Sequence, residues 1–214
     1  MLFRSGIVLE KEQIDRIKRY NEELIYWNSK VNLISRKDEE NVLERHFLHS
    51  LSVLKYGKLN RNAKCLDIGT GGGLPGIPLA IAREDLSFTL IDSISKKIKI
   101  TEMLAKHTGL RNIKVINSRV EDLLNDKKNL GYFDYIFSRA VGKIDLVISL
   151  SYKLLKPNGK YIFYKGGNLN AEKRYAQKRF PNLITEEIRI DLFGTEWFKT
   201  EDKKLVVCSF KNKS

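Results

Sequence analysis

Asp67, Gly69, Gly71 and Gly73 form the spacing D-x-G-x-G-x-G inside the stretch "CLDIGTGGGLPGIPLA", and Asp92 closes the next apolar run, "SFTLID". Glycine loses more backbone freedom on ordering than any other residue. A cluster of glycines at one turn therefore points to a ligand that approaches the backbone itself. A helix that starts at such a turn adds free N–H groups and the positive end of its dipole. An acid at the end of the following strand is placed to accept hydrogen bonds from both hydroxyls of a ribose. The chemistry implied is nucleoside binding. The dinucleotide fingerprint G-x-G-x-x-G would need glycine at position 74, where Leu74 stands, which disfavours a nicotinamide cofactor. Arg139 ends the run "FDYIFSR". It is the best candidate for an active-site cation, by hydrogen bonding to a ligand or by stacking on a base. The competing role is an ion pair with Asp134 or Asp92.

These residues need a scaffold that brings several strand ends together. From Lys64 onward short apolar runs alternate with helical patterns: "CLDIG", "SFTLID", "IKVINS", "FDYIFSRAV" and "GKYIFYKG", with helices expected near 76–83, 95–107, 120–126 and 143–155. Runs rich in Ile, Val and Phe with helices between them predict a parallel sheet. "ITEEIRIDL" and "KLVVCSF" follow without a strong helix between them, which predicts an antiparallel pair at one end. Ahead of the sheet, 9–34 reads as an amphipathic helix and 38–57 as a second, with Asp38 as N-cap and Gly57 as its stop. The fold class is α/β: a Rossmann-like, doubly wound, mostly parallel sheet of seven strands. Residues 1–60 form a helical extension and 61–214 the main domain.

The 214 residues are 42% hydrophobic and carry a net charge of +13 spread along the whole chain. That composition supports a core and excludes global disorder. The basic balance suits a phosphate backbone as partner, with a lysine-rich solvated surface as the plain alternative. No apolar run approaches a membrane span, and no export signal is evident, so the expectation is a cytoplasmic monomer with no membrane partner. Cys65 and Cys208 read as buried free thiols. His46 and His49 share a helix face without a third ligand nearby, so no metal is expected.

The spacing G-x-G-x-G, preceded by Asp67, resembles the S-adenosylmethionine site of class I methyltransferases. Seven segments go further: "YNEELIYWNSKVNLIS", "ERHFLHSL", "LDIGTGGGLPGIPLA", "TLIDSISKK", "INSRVEDL", "FDYIFSRAV" and "YKG". Together they resemble the RsmG family, also called GidB, which methylates guanine N7 in small-subunit ribosomal RNA. The resemblance covers roughly residues 20–167. It implies that Gly69 and Leu74 line the methionine part of S-adenosylmethionine, that Val120 and Glu121 meet the adenosine, and that Arg139 reaches the cofactor or the target guanine. Asp67, Gly71, Gly73 and Asp92 follow from the wider class. The partner implied is small-subunit ribosomal RNA or a pre-ribosomal particle. His49 departs from the family, which usually has an acid there, and the last 47 residues match only in general character.

The residues agree with that chemistry. Guanine N7 offers a free lone pair and no hydrogen, so no general base is needed. The fourth strand ends in Ser138-Arg139-Ala140, without the Pro-Pro-aromatic sequence suited to amino-group methylation, and no Pro-Cys pair serves attack at a pyrimidine carbon. A looped target base would be presented to a pocket. Tyr164 and Trp197 could stack on it, Arg119 and Lys165 are candidate phosphate contacts, and Trp27, Asn28 and Asn32 are expected to cap the cofactor pocket. A small-molecule methyltransferase and a non-enzymatic RNA-binding protein are the alternatives.

Overall fold

The computed structural model describes residues 3–211. Seven strands form one sheet: β1 (Lys64–Ile68), β2 (Ser87–Asp92), β3 (Ile113–Asn117), β4 (Phe133–Arg139), β5 (Leu155–Gly166), β6 (Leu183–Arg189) and β7 (Lys203–Phe210). Their order is β3-β2-β1-β4-β5-β7-β6, and β7 alone runs antiparallel to its neighbours. The apolar runs of the sequence become these strands because both faces of the sheet are covered. Successive residues serve opposite faces. Cys65 and Phe137 join the core beneath the N-terminal segment and the helices Gly76–Ala82 and Ser95–His107. Leu66 and Ile136 join the core beneath Ile144–Ser151 and Asn170–Arg179. Both cysteines are buried and unpaired.

The strand order reverses between β1 and β4, which is where an open α/β sheet parts to admit a ligand. Ile68 of β1 pairs with Ile91 on one side and Ser138 on the other. The next residue on each strand is Gly69, Asp92 and Arg139. Register alone therefore delivers three of the candidate residues to one carboxyl edge.

The helical segments depart from expectation in instructive ways. The first helix covers Lys11–Asn28 and not 9–34. The Asn28 side chain accepts the N–H groups of Leu33 and Ile34, both at 2.8 Å, and so replaces the helical ladder with a local turn. The segment 38–57 is not one helix. It runs as a tight turn Arg36–Asn41, a wide π-helical turn Leu43–Leu48, and short α-helical turns His49–Leu51 and Val53–Tyr56. Asp38 does not cap it, because its carboxylate is engaged by Arg45 at 2.7 Å. The π-helical turn, often found at functional sites, carries His46, and His46, His49 and Ser50 are all buried. The pattern near 120–126 is a short 3₁₀ turn, Glu121–Asn125, and that near 143–155 is an α-helix only over Ile144–Ser151. Helix Asn170–Arg179 has no counterpart in the sequence reading, since only Ala176 of it is buried and no apolar stripe announces it.

Candidate functional site

The glycine turn is built around Asp67. That carboxylate is fully buried, and its Oδ2 accepts the Thr70 hydroxyl at 2.7 Å and the Gly76 N–H at 3.0 Å. Its Oδ1 has no partner among the described residues. Burial pushes the Asp67 pKa up to about 7 against those two hydrogen bonds, so near neutrality the carboxyl carries a proton about half the time. Asp67 thus braces the turn from behind and does not line the crevice, where the sequence reading expected it against the ligand. Gly73 also lies behind the lining. It is bent to φ +100°, and a Cβ there would meet the Ile77 side chain at 2.4 Å.

The turn's carbonyls are fixed from outside. Tyr20 donates to Gly72 O at 2.7 Å and Thr101 to Gly71 O at 2.6 Å. The first helix therefore clamps the turn, with the fully buried Leu24 packed against Gly72. In front, an open crevice of about 820 Å³ is lined by Gly69, Gly71, Leu74, Asp92 and Arg139, together with Asn32 to Arg36 from the extension. Gly69 takes φ +66°, and a Cβ on it would stand 2.5 Å from Val141, so a side chain there would strain the backbone and displace that wall. Val141 is held there by Ala140 at φ +57°, a left-handed conformation rare outside glycine.

Asp92 reaches back to the turn. Its Oδ2 accepts Gly71 N–H at 3.0 Å and its Oδ1 accepts Ile94 N–H at 2.9 Å. Each oxygen keeps lone-pair capacity toward the crevice. Arg139 makes no ion pair among the described residues, with Asp134 or Asp92 or any other acid. Asp134 is taken by Lys156 at 2.7 Å and by the Lys64 N–H. Arg139 donates instead to His46 O at 3.3 Å and to the His46 ring at Nδ1, with Ser50 Oγ at 3.5 Å. Burial lowers its pKa. Burial, then the Arg139 charge, drives the His46 pKa down to about 3, so the ring is neutral. Since Nδ1 accepts from Arg139, its proton sits on Nε2, 3.5 Å from Asp38 Oδ2. His49 is neutral for the same reasons and packs edge-on against Tyr164, Trp197 and Phe198.

Other expected residues stand elsewhere. Val120 is buried in the second core and Glu121 is exposed, and neither lines the crevice. Arg119 is exposed and makes no ion pair among the described residues. Lys165 does not offer a free cation. It is committed to Glu172 and to Gly142 O, both at 2.7 Å, which replaces the expected phosphate contact. Tyr164 is buried with its hydroxyl on Ser50 O. Asn32 lines the crevice, Asn28 holds the loop behind it, and Trp27 packs against the core. Sequence reading gave Asp38 and His46 other roles, a helix cap and a helix-face histidine, and did not find Ser50; the contacts of His46 and Ser50 with Arg139 cross about ninety positions of the chain. The wide turn that aims them left no periodic signal.

Asn28→Ala should orphan the buried N–H groups of Leu33 and Ile34. A loss of about 2–3 kcal/mol is expected in urea unfolding, since each unmet group costs about 1–3 kcal/mol. A loss under about 0.5 kcal/mol would show that the loop does not depend on this latch.

Residues 13–200 match the family model described as GidB: rRNA small subunit methyltransferase G. A ribosomal RNA small subunit methyltransferase G of Chlorobium phaeobacteroides is 40% identical over 86% of this chain and 83% of its own length. The protein of that name from Christiangramia forsetii is 37% identical over 96% of this chain and 94% of its own. Among solved structures, a precorrin-6y methyltransferase from Geobacter metallireducens superposes with TM-score 0.56 at 15% identity, covering 85% of this chain and 92% of that one. A variant of MtNAS in complex with S-adenosylmethionine superposes at 0.60 and 15% identity, covering 97% and 74%. The structural likenesses show the fold alone, a mostly parallel seven-stranded sheet flanked by helices.

Proposed function

The chain belongs to the ribosomal RNA small subunit methyltransferase G family, and on that premise we propose that it transfers a methyl group from S-adenosylmethionine to N7 of a guanine in small-subunit ribosomal RNA. The observation that carries the cofactor reading is the half-buried Arg139 guanidinium, which has no acidic partner among the described residues and stands beside a left-handed glycine wall and an acid with spare lone pairs. A cation removed from water without a counter-charge calls for an anionic ligand. The amino-acid carboxylate of S-adenosylmethionine is such a group, and its ribose suits Asp92.

Bound there, S-adenosylmethionine would supply an electrophilic methyl carbon to the lone pair of guanine N7, with the C–S electrons remaining on sulfur and the positive charge passing to the base. The chain's own part is positioning. Arg139 holds a carboxylate, Gly69 allows close approach, and Asp92 ties the sugar to the turn through Gly71. His46 stays neutral, so it adds no second positive charge beside Arg139. No side chain needs to remove a proton, because N7 carries none. The basic surface and exposed Arg119 favour RNA as the partner.

Incubation with labelled S-adenosylmethionine and small-subunit RNA should yield labelled 7-methylguanosine on nucleoside analysis. Label confined to another nucleoside, to protein or to small molecules would reject the reading. Binding to RNA should weaken steeply with salt. Asp92→Ala should weaken S-adenosylmethionine binding in calorimetry by about 10–30-fold, as sugar and turn contacts of roughly 1 kcal/mol each are lost together. Unchanged affinity would mean that the sugar lies elsewhere.

A further inference from the structure

Beside the crevice, and sharing Asp38, His46, Arg139 and Ala140 with it, lies a second cleft of about 280 Å³. Trp197 and Tyr164 line it as well. Two cations flank the indole: Lys203 Nζ lies 4.8 Å from the ring centre and the Arg45 guanidinium 5.9 Å. Both cations stand over the indole face, so what they bring to the cleft is positive charge that suits the phosphates of a splayed-out nucleotide. Among the residues lining this second cleft, Asp38 is the sole carboxylate. Its Oδ1 is held by Arg45 at 2.7 Å, and its Oδ2 faces His46 Nε2 at 3.5 Å. These contacts orient the group and leave lone pairs on both oxygens. The Asp38 side chain remains 24% exposed and therefore reachable.

Guanine presents two adjacent donors, N1–H and the 2-amino group, which a carboxylate can accept side by side. Adenine lacks both and hypoxanthine the second. Resting on the methyltransferase reading above, we propose that this second cleft receives the target guanine and that Asp38 reads its N1–H and 2-amino edge. The charge balance favours the same residue. As N7 gains the methyl group the ring becomes cationic and its N1–H more acidic, so the bonds to Asp38 strengthen on the way to the transition state. An interaction that strengthens there accelerates the step. Without Asp38 the new cation would form facing Arg45, Arg139 and Lys203.

The test uses the full chain with S-adenosylhomocysteine present to prevent turnover, and equilibrium dialysis of labelled guanosine and inosine monophosphates. The unaltered protein should hold the guanosine nucleotide about tenfold tighter than the inosine one, the worth of one good hydrogen bond. Asp38→Asn, equal in shape but with a donor in place of one acceptor, should bring that ratio near one. It should also lower kcat on small-subunit RNA at least about tenfold, with S-adenosylmethionine affinity changing less than about threefold. Asp38→Glu should recover part of the ratio. If Asp38→Asn weakens S-adenosylmethionine binding in step with turnover and leaves the nucleotide ratio untouched, Asp38 is a structural pin and the proposal falls. It falls equally if the unaltered protein shows no guanosine preference, an outcome that leaves the methyltransferase reading standing wherever 7-methylguanosine still forms. Failure of the unaltered protein to bind S-adenosylmethionine sinks both.

Discussion

Arg139→Met is expected to lose S-adenosylmethionine affinity by at least about 100-fold, while the thermal midpoint of the free protein holds or rises by a few degrees. The two effects have one cause. In the free protein the guanidinium is held by a carbonyl, a neutral ring and a distant hydroxyl, with no acid in contact among the described residues. Such a cation is a cost to the fold, and an apolar side chain of similar length relieves it. In the complex the same cation meets its counter-charge in a partly dehydrated crevice, where truncating one partner costs about 2–5 kcal/mol. Calorimetry and thermal unfolding on the same sample decide the matter. A variant that unfolds earlier and binds normally would show Arg139 to be part of the scaffold.

The pH dependence of stability should carry the mark of Asp67. An unfolded aspartate titrates near 4, and in the folded chain Asp67 titrates at about 7. Below about pH 4 both states hold the proton. Between those values the folded state binds more protons than the unfolded, so stability falls as pH rises and levels off above about 7. The full span amounts to about 4 kcal/mol at 1.36 kcal/mol per unit. His46 acts with the opposite sign, because its folded pKa is depressed. The clean readout is therefore the difference between the unaltered chain and Asp67→Asn in urea unfolding from pH 5 to pH 8. Asp67→Asn should remove the decline. Parallel curves for the two proteins would mean that Asp67 is ionised throughout, with its unpartnered Oδ1 paired to water.

Much of the scaffold was legible because it rests on local patterns. Apolar runs of strand length became the strands, for a sheet buried on both faces needs residues such as Leu66 and Ile136 in unbroken series. The glycines were legible because a side chain at Gly69 would strain the backbone and displace Val141. Gly69, Asp92 and Arg139 were legible as a group because register carries adjacent strand ends to one edge. Helix Asn170–Arg179 was not, since a helix polar on nearly every side leaves no periodicity.

What the chain order could not supply is how the crevice is walled and charged. Asn28 breaks a helix that periodicity would have continued, and so lays Asn32 to Arg36 across the glycine turn. A wide turn places His46 against Arg139 and within 3.5 Å of Asp38, although the two partners of the first contact lie 93 positions apart in the sequence. Lys165 is not a free cation because Glu172 pairs with it, and Asp67 braces the turn from behind. Spacing along a chain specifies which side chains share an element. Burial, protonation and ion pairing depend on which distant groups surround them, and only packing in three dimensions decides that.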